Sequence, residues 1–164
     1  MMKKNNNSGI TMVALVITII LIGIITSVLV YFGNNIVKKA NLQTASIDML
    51  LIQAKAETIY EKLSFEKTGA ELEDALTGVK VTTGTAEATF LTSLGIGPEN
   101  IVKYFLWNKE TLDASGLSGI KLRENEVFYI KYGEEIEVIS SIGYKHSNGT
   151  TYYKLSEIKD LKEE

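Results

Sequence analysis

The sequence predicts an α+β fold in which a long N-terminal helix packs on a small C-terminal antiparallel β-sheet. Two observations point to this class. Apolar residues recur at helical spacing as far as residue 63 with no intervening proline, and the segment 126–155 alternates like strands around an Asn-Gly pair. Helix first and sheet last is an α+β order, and we expect the sheet to cover one face of the helix.

The first predicted element is an apolar run at residues 10–32, which contains no charged residue and no Asn, Gln, His or Pro. Its length of about 23 residues exceeds the ~20 that a helix needs to cross a hydrocarbon core. The core of a secretory signal peptide is shorter, at about 7–15 residues. Lys3 and Lys4 precede the run and favour a cytoplasmic N-terminus, although Lys38 and Lys39 follow it. We therefore expect a single-pass membrane protein with an extracytoplasmic C-terminal domain.

Residues 33–64 predict an amphipathic continuation of the same helix. Seven apolar residues follow each other at alternating steps of three and four, which places them in a narrow stripe on one helix face. The stripe consists of Leu42, Ala45, Met49, Ile52, Ala56, Ile59 and Leu63. We expect one helix of more than fifty residues; the alternative is two helices that break near residues 33–35, where the sequence is Gly-Asn-Asn.

Residues 65–125 form a variable region in which the signals are short. Residues 79–82 alternate like a strand. Pro98 is suited to begin a helix, which we expect to run to Trp107, and residues 112–119 resemble a loop with two glycines.

The segment 126–155 predicts an antiparallel β-meander. Asn148-Gly149 readily takes the positive φ angles of a type I′ turn and would join the last two strands. The three predicted strands are residues 127–132, 136–142 and 150–155. The tail at residues 156–164 is rich in charge, and we expect it at the surface.

Composition argues against several classes of function. A formal charge of −3 provides no electrostatic footprint for nucleic acid, so DNA contact would need a local basic patch. There is no cysteine, and hence neither a disulfide nor thiolate chemistry. His146 is the only histidine and there is no cysteine, so neither a multi-His metal site nor a Cys-His triad can be assembled. We expect His146 to be an exposed residue of the predicted turn. We expect no metal, no cofactor and no enzymatic activity.

Five glutamates around the predicted strands are the remaining candidates for chemistry. They lack the glycine-spaced loop of a calcium site, so the pattern favours a solvated strand face over a carboxylate site. These residues are Glu124, Glu126, Glu134, Glu135 and Glu137.

The N-terminus carries a more specific signal, which resembles the class III leader of type IV pilins and pseudopilins. The matching residues are Lys3-Lys4, then Ser8-Gly9-Ile10-Thr11-Met12-Val13-Ala14-Leu15-Val16-Ile17-Thr18, and Leu21-Ile22-Gly23-Ile24. The resemblance implies a pilin-like fold, a basic leader at residues 1–9, cleavage between Gly9 and Ile10, and N-methylation of Ile10. It also assigns Thr11 and Gly23 to the assembly helix. A glycine at the cut has no side chain to obstruct a protease.

The resemblance further implies the partners of the chain. They are the prepilin peptidase, other pilin or pseudopilin subunits, the assembly platform, and membrane lipid before assembly. The helix at residues 10–32 would anchor the precursor and then pack inside a cell-surface filament. The function implied is a structural subunit of a type IV filament or of a type II secretion or DNA-uptake pseudopilus. The alternative is an uncleaved, N-anchored extracellular module that binds a ligand or adheres.

Ala14 departs from the family pattern. Most members carry Glu as the fifth mature residue, and its carboxylate pairs with the terminal amine of a neighbouring subunit. Without it, the Ile10 ammonium has no such partner in an identical chain, and a lone buried charge is costly. Ala14 therefore favours a minor pilin or pseudopilin, or else a branch whose filaments assemble without the glutamate.

Overall fold

One uninterrupted helix, α1, spans Met12–Glu66 and is the longest element that the structure describes. The computed structural model describes residues 12–162, apart from the side chains at positions 13, 28, 31, 32, 34 and 35. The 55 residues of α1 correspond to a rod about 80 Å long. The prediction of a single long helix is confirmed, and the alternative of a break near residues 33–35 is wrong. No proline interrupts the backbone hydrogen bonds there.

The apolar stripe of α1 is the face that packs on the rest of the chain, as predicted. Leu42, Met49, Ile52 and Ala56 are buried, whereas Ala45 and Ile59 are partly buried against the same core. Leu42 is the first described residue of α1 that is buried, and Tyr144 Oη of the head donates to the Lys38 carbonyl at 3.2 Å. The helix below this contact, at residues 12–37, therefore extends from the globular part by about 40 Å. The fold is therefore a globular head on a protruding helix.

The head contains a five-stranded antiparallel sheet whose spatial order follows the chain. The strands are β1 Val79–Lys80, β2 Tyr104–Trp107, β3 Phe128–Lys131, β4 Glu137–Lys145 and β5 Thr151–Lys154. The predicted helix on an antiparallel sheet is confirmed. The sheet is larger than the predicted meander at 126–155, because β1 and β2 come from the variable region.

The predicted helix from Pro98 to Trp107 is wrong beyond its first turn. The chain is helical over Pro98–Ile101 and then forms β2. Three of the four β2 residues are buried, since the strand pairs with both β1 and β3. The indole Nε1 of Trp107 donates to the carbonyl of Thr77 at 2.9 Å, so this buried polar group is satisfied.

Short helices complete the head. They are α2 Gly69–Ala75, α3 Ala86–Ser93, α4 Pro98–Ile101, α5 Lys109–Ala114 and α6 Leu155–Ile158. The end of α5 overlaps the first three residues of the predicted loop at 112–119, and the rest of that segment is without helix or strand. Asn108 caps α5 by accepting from the Thr111 amide at 3.0 Å.

The sheet is covered on both faces. One face packs on α1 and α6, and the other packs on α3 and α4 through a separate apolar cluster. On the second face Phe90 stacks on Tyr129 with ring centroids 5.5 Å apart. The tail differs from the expected surface position at its start, because Leu155 and Ile158 of α6 are buried beside α1.

The predicted membrane span covers residues 10–32, of which residues 10 and 11 lie outside the described part of the chain. Within the part of the chain that the structure describes, no helix is both long enough and apolar enough to cross a membrane.

Candidate functional site

The residues of the predicted processing site lie outside the described part of the chain. These are Lys3, Lys4, Gly9, Ile10 and Thr11. Ala14 and Gly23 lie within α1, on the protruding part of the helix. The structure therefore describes the surface that follows the predicted cut, and not the cut itself.

The protruding part of α1 is an apolar surface that nothing in the head covers. We call it the assembly surface; its described large apolar side chains between residues 12 and 30 are 51–84% exposed. They are Met12, Leu15, Val16, Ile17, Ile19, Ile20, Leu21, Ile22, Ile24, Ile25, Leu29 and Val30. Burying one such side chain contributes roughly 1.5–3 kcal/mol, so this surface strongly favours an apolar environment.

The assembly surface surrounds the helix. Four consecutive residues, Ile19 to Ile22, are all more than half exposed, and consecutive side chains point about 100° apart around a helix. A helix that is apolar all round is typical of a segment buried in lipid or among other helices. A segment that docks along one face of its own domain has a polar side, as the upper part of α1 does.

The hydroxyl groups of the assembly surface are satisfied within the helix. Thr18, Thr26 and Ser27 each donate to the backbone carbonyl four residues earlier, at 2.7–2.8 Å. In an apolar environment an unpaired hydroxyl is costly, whereas a paired one is tolerated. The three hydroxyls therefore do not oppose burial of the helix.

Gly23 leaves a shallow gap in the assembly surface. A Cβ atom built at this position meets no heavy atom within 4 Å, so the head and the helix itself place no steric demand on glycine. Small residues let two helix backbones approach closely, and glycine also weakens a helix locally. Ala14 contributes no charged group to the same surface.

A cleft of about 400 Å³ lies where α1 meets β4 and the segment that precedes β3. Its apolar wall includes Met49, Phe128 and Ile158, and its polar groups come from α1, β4 and the preceding segment. The polar lining consists of Asn41, Thr44, Asp48, Lys121, Arg123, Glu126, Ser140 and Lys145. The cleft therefore combines an apolar wall with charges of both signs.

Glu126 is the buried carboxylate of this cleft, with its residue only 7% exposed. Ser140 Oγ donates to Glu126 Oε1 at 2.7 Å, and the guanidinium of Arg123 donates at 2.6 and 3.1 Å. Burial alone raises the pKa of Glu126, but these hydrogen bonds and the positive charge of Arg123 outweigh it. The pKa of Glu126 consequently lies below its ordinary value of 4.5.

Asp48 faces the same cleft from α1, and its pKa is shifted in the opposite direction to that of Glu126. Partial burial, reinforced by the negative charge of Glu126, raises the pKa of Asp48 above its ordinary 3.8. Among the described residues Asp48 makes no hydrogen bond or ion pair through its carboxylate. The two carboxylates therefore differ: Glu126 is fully paired, and Asp48 is available to a cationic group that enters the cleft.

The prediction that the five glutamates form a solvated strand face is wrong for Glu126. Glu137 is also engaged, since Tyr104 Oη donates to it at 2.5 Å and Lys154 lies 3.6 Å away. Glu124, Glu134 and Glu135 are exposed, as expected. The buried carboxylate of Glu126 is hydrogen-bonded by Ser140, which is 14 residues away in sequence. No local sequence pattern therefore predicts that Glu126 is buried.

The described residues include no cluster of side chains placed to hold a metal ion. No three His, Cys, Asp or Glu side chains in this part of the chain lie close enough to hold a metal ion. His146 lies in the turn between β4 and β5, where its Nδ1 accepts from the Asn148 amide at 3.2 Å and its Nε2 lies 3.0 Å from the Lys162 carbonyl. These contacts order the turn and the tail.

Comparison with known proteins adds no relative to this picture. No protein-family model matches the sequence, and no match was found among curated proteins or solved structures.

Proposed function

We propose that this chain is a pilin-like structural subunit, made as a precursor that prepilin peptidase cleaves after Gly9. The mature chain would begin at Ile10, retain its apolar helix, and enter a type IV filament or a type II secretion or DNA-uptake pseudopilus. The anchoring role of residues 10–32 rests on their sequence, which is apolar or hydroxylated throughout and carries no charge. Lipid would surround this helix before assembly, and other subunits would surround it afterwards.

One observation carries the proposal: the apolar surface of α1 is exposed on every side between residues 12 and 30. A soluble enzyme or binding domain gains nothing from such a segment, and large exposed apolar surfaces mark contacts with membranes or other proteins. The head supplies no partner for it, because burial against the head begins at Leu42. The surface fits a subunit whose helix is completed by other molecules.

Ala14 favours a minor pilin or pseudopilin role within this proposal. A subunit that lacks the glutamate cannot offset the terminal amine of an identical neighbour in the usual way, and an unpaired charge among apolar helices is strongly unfavourable. A position where the neighbour supplies the carboxylate, or where the amine reaches water, avoids that cost. Such positions belong to a subunit that is present in few copies or at a filament end.

Intact-mass spectrometry of the native protein tests the proposal. We expect a chain that begins at Ile10, with or without the added mass of one methyl group. Retention of residues 1–9 in cells that contain active prepilin peptidase would overturn it. Cleavage beyond the apolar helix would overturn it equally, because the assembly surface would be lost.

The cleft beside Asp48 favours the alternative, an uncleaved anchored module that binds a ligand through its head. An available carboxylate next to an apolar wall is suited to a cationic or amphipathic ligand. The alternative expects an intact N-terminus and a binding activity that Asp48→Asn abolishes, whereas the pilin-like function does not depend on Asp48. The mass measurement and this variant together separate the two candidates.

A further inference from the structure

The upper half of α1 carries a second apolar stripe on the face that points away from the sheet. Its residues follow each other in alternating steps of four and three, and all six are exposed. We call this stripe the seam; it consists of Ala40, Thr44, Ile47, Leu51, Ala54 and Thr58. Alternating steps of four and three are the spacing of the contact positions in a coiled coil.

Most of the seam is accessible because the head lies behind it, whereas Thr44, at the edge of the seam, also lines the cleft between α1 and β4. Ile47 and Met49 are two residues apart, so their side chains point to nearly opposite sides of the helix. Met49 is 2% exposed and packs in the core, whereas Ile47 is 54% exposed. A second helix can therefore approach Ile47 and Leu51 without meeting the sheet.

The two threonines of the seam do not oppose its burial. The Thr44 hydroxyl donates to the Ala40 carbonyl at 2.9 Å, and the Thr58 hydroxyl donates to the Ala54 carbonyl at 2.9 Å. Each hydroxyl is thus paired within its own helix, and the methyl group remains for packing. Covering the seam would leave neither hydroxyl without a partner. Alanine and threonine are also small enough to let two helices approach closely.

Two charged residues beside the seam indicate which helix can pack against it. Glu57 and Lys62 are exposed and flank its upper end, and within the described residues neither forms an ion pair. Thr58 is the last contact position of the seam, and Glu61 is the next position at the same spacing. Glu57 directly precedes Thr58, and Lys62 directly follows Glu61. In a parallel coiled coil these two flanking positions, five residues apart, face each other across the pair.

We propose that the seam packs against the seam of a second copy of this chain, with the two helices parallel and in register. Glu57 of each copy then faces Lys62 of the other, and the seam ends where the next contact position is the charged Glu61. An antiparallel pair would not match Glu57 with Lys62. The parallel orientation rests on the proposed function, since copies anchored by the same N-terminal segment point the same way.

Single cysteines report this pairing directly, because the chain contains none of its own. The full-length protein is expressed in membranes as Leu51→Cys, as Ala54→Cys, and as Lys39→Cys, an exposed control off the seam. We expect oxidation to give a disulfide-linked dimer several-fold more readily at positions 51 and 54 than at position 39. Equal cross-linking at the control, or none at either seam position, overturns the proposal. A seam variant that fails to reach the membrane is replaced by Ile47→Cys.

Charge reversal then tests the register. In the Ala54→Cys background, Glu57→Lys and Lys62→Glu should each lower the yield of cross-linked dimer several-fold, because like charges then face each other. The double reversal should restore the yield. A double variant that stays as weak as the single variants, or single variants without effect, would contradict the parallel pair in register.

The mass of the cross-linked dimer separates this inference from the proposed function. Seam-specific dimers whose chains keep residues 1–9 would support pairing while refuting cleavage. Chains that begin at Ile10 but show no seam-specific dimer would support cleavage while refuting pairing.

Discussion

At the scale of single residues, Glu126 shows how the head fixes the segment before β3. Its carboxylate joins Arg123, three residues earlier, to Ser140 on β4, and Ser140 Oγ accepts in turn from the Gly143 amide at 3.0 Å. Each hydrogen bond to the ionised carboxylate is a charge-assisted one, which is the stronger class. The network ties a loop to the sheet beside the cleft.

Arg123→Met should destabilise the head by about 1–2 kcal/mol, since it removes the positive partner of the buried Glu126 carboxylate; the half-exposed position of Arg123 and the remaining hydrogen bond from Ser140 limit the loss. Chemical denaturation of the full chain in detergent measures the effect. Lys121→Met, an exposed neighbour, is the matched control and should stay within about 0.5 kcal/mol of the parent. The pKa of Glu126 is lowered in the folded state, so its stabilisation is present above pH 4.5 and is lost as the pH falls through that lowered value. The difference between Arg123→Met and the parent should therefore shrink at acidic pH.

Asp48→Asn should stabilise the head at neutral pH, whereas Arg123→Met destabilises it. The folded-state pKa of Asp48 is raised from 3.8, so folding disfavours its ionised form, and the penalty is complete only above the raised pKa. The gain should vanish as the pH falls below 3.8, where the carboxyl is protonated in both states. Thermal unfolding at neutral and strongly acidic pH measures it, with the exposed Glu124→Gln as control. A loss of stability at neutral pH would show that Asp48 has a partner of opposite charge.

At the scale of elements, the irregular pairing of β4 with β5 depends on Gly143. Its φ is +69°, and an added Cβ would lie 2.5 Å from the carbonyl oxygen of Tyr152. Gly143→Ala should therefore cost more than the roughly 1–2 kcal/mol of a left-handed backbone alone. Gly119→Ala, which meets nothing within 4 Å, should be close to neutral. The free energies of unfolding of the two variants check this, and similar values would refute the close approach.

Gly23→Ala separates assembly from folding within α1. Alanine favours a helix over glycine by roughly 1 kcal/mol, and the added Cβ meets nothing in the chain, so folding of the head should be unchanged. We expect the variant to lower the amount of protein recovered in surface filaments, because the gap for a neighbouring helix is filled. Gly33→Ala, the same change elsewhere in the helix, is the control. Equal losses of filament protein for the two variants would show that Gly23 has no specific role in assembly.

The long helix was readable from sequence, and the strand β2 was not. The stripe from Leu42 to Leu63 spans six turns, so its period is unambiguous. The four apolar residues of β2 are too few to carry a period, and a preceding Pro98 favours a helix start just as well. Tertiary pairing with β1 and β3 decided the outcome.

At the scale of the whole molecule, α1 has two environments that meet near Leu42. Above this residue one face is buried by the sheet and the other carries most of the seam; between residues 12 and 30 the described large apolar side chains are exposed on all sides of the helix. The uncharged segment at residues 10–32 was identifiable from composition alone, because the absence of charge is a property of the segment itself. The cleft was not, since its residues come from α1, the segment before β3 and β4.

The central claim is that the chain is processed at Gly9 and keeps its apolar helix. The most direct measurement compares the parent with Gly9→Val, each expressed in membranes with and without prepilin peptidase, and reads the N-terminus by mass spectrometry. We expect the parent to begin at Ile10 only when the peptidase is present, and Gly9→Val to retain residues 1–9 in both cases, because a branched side chain obstructs the protease at the cut. A parent chain that keeps residues 1–9 in the presence of active peptidase would contradict the account.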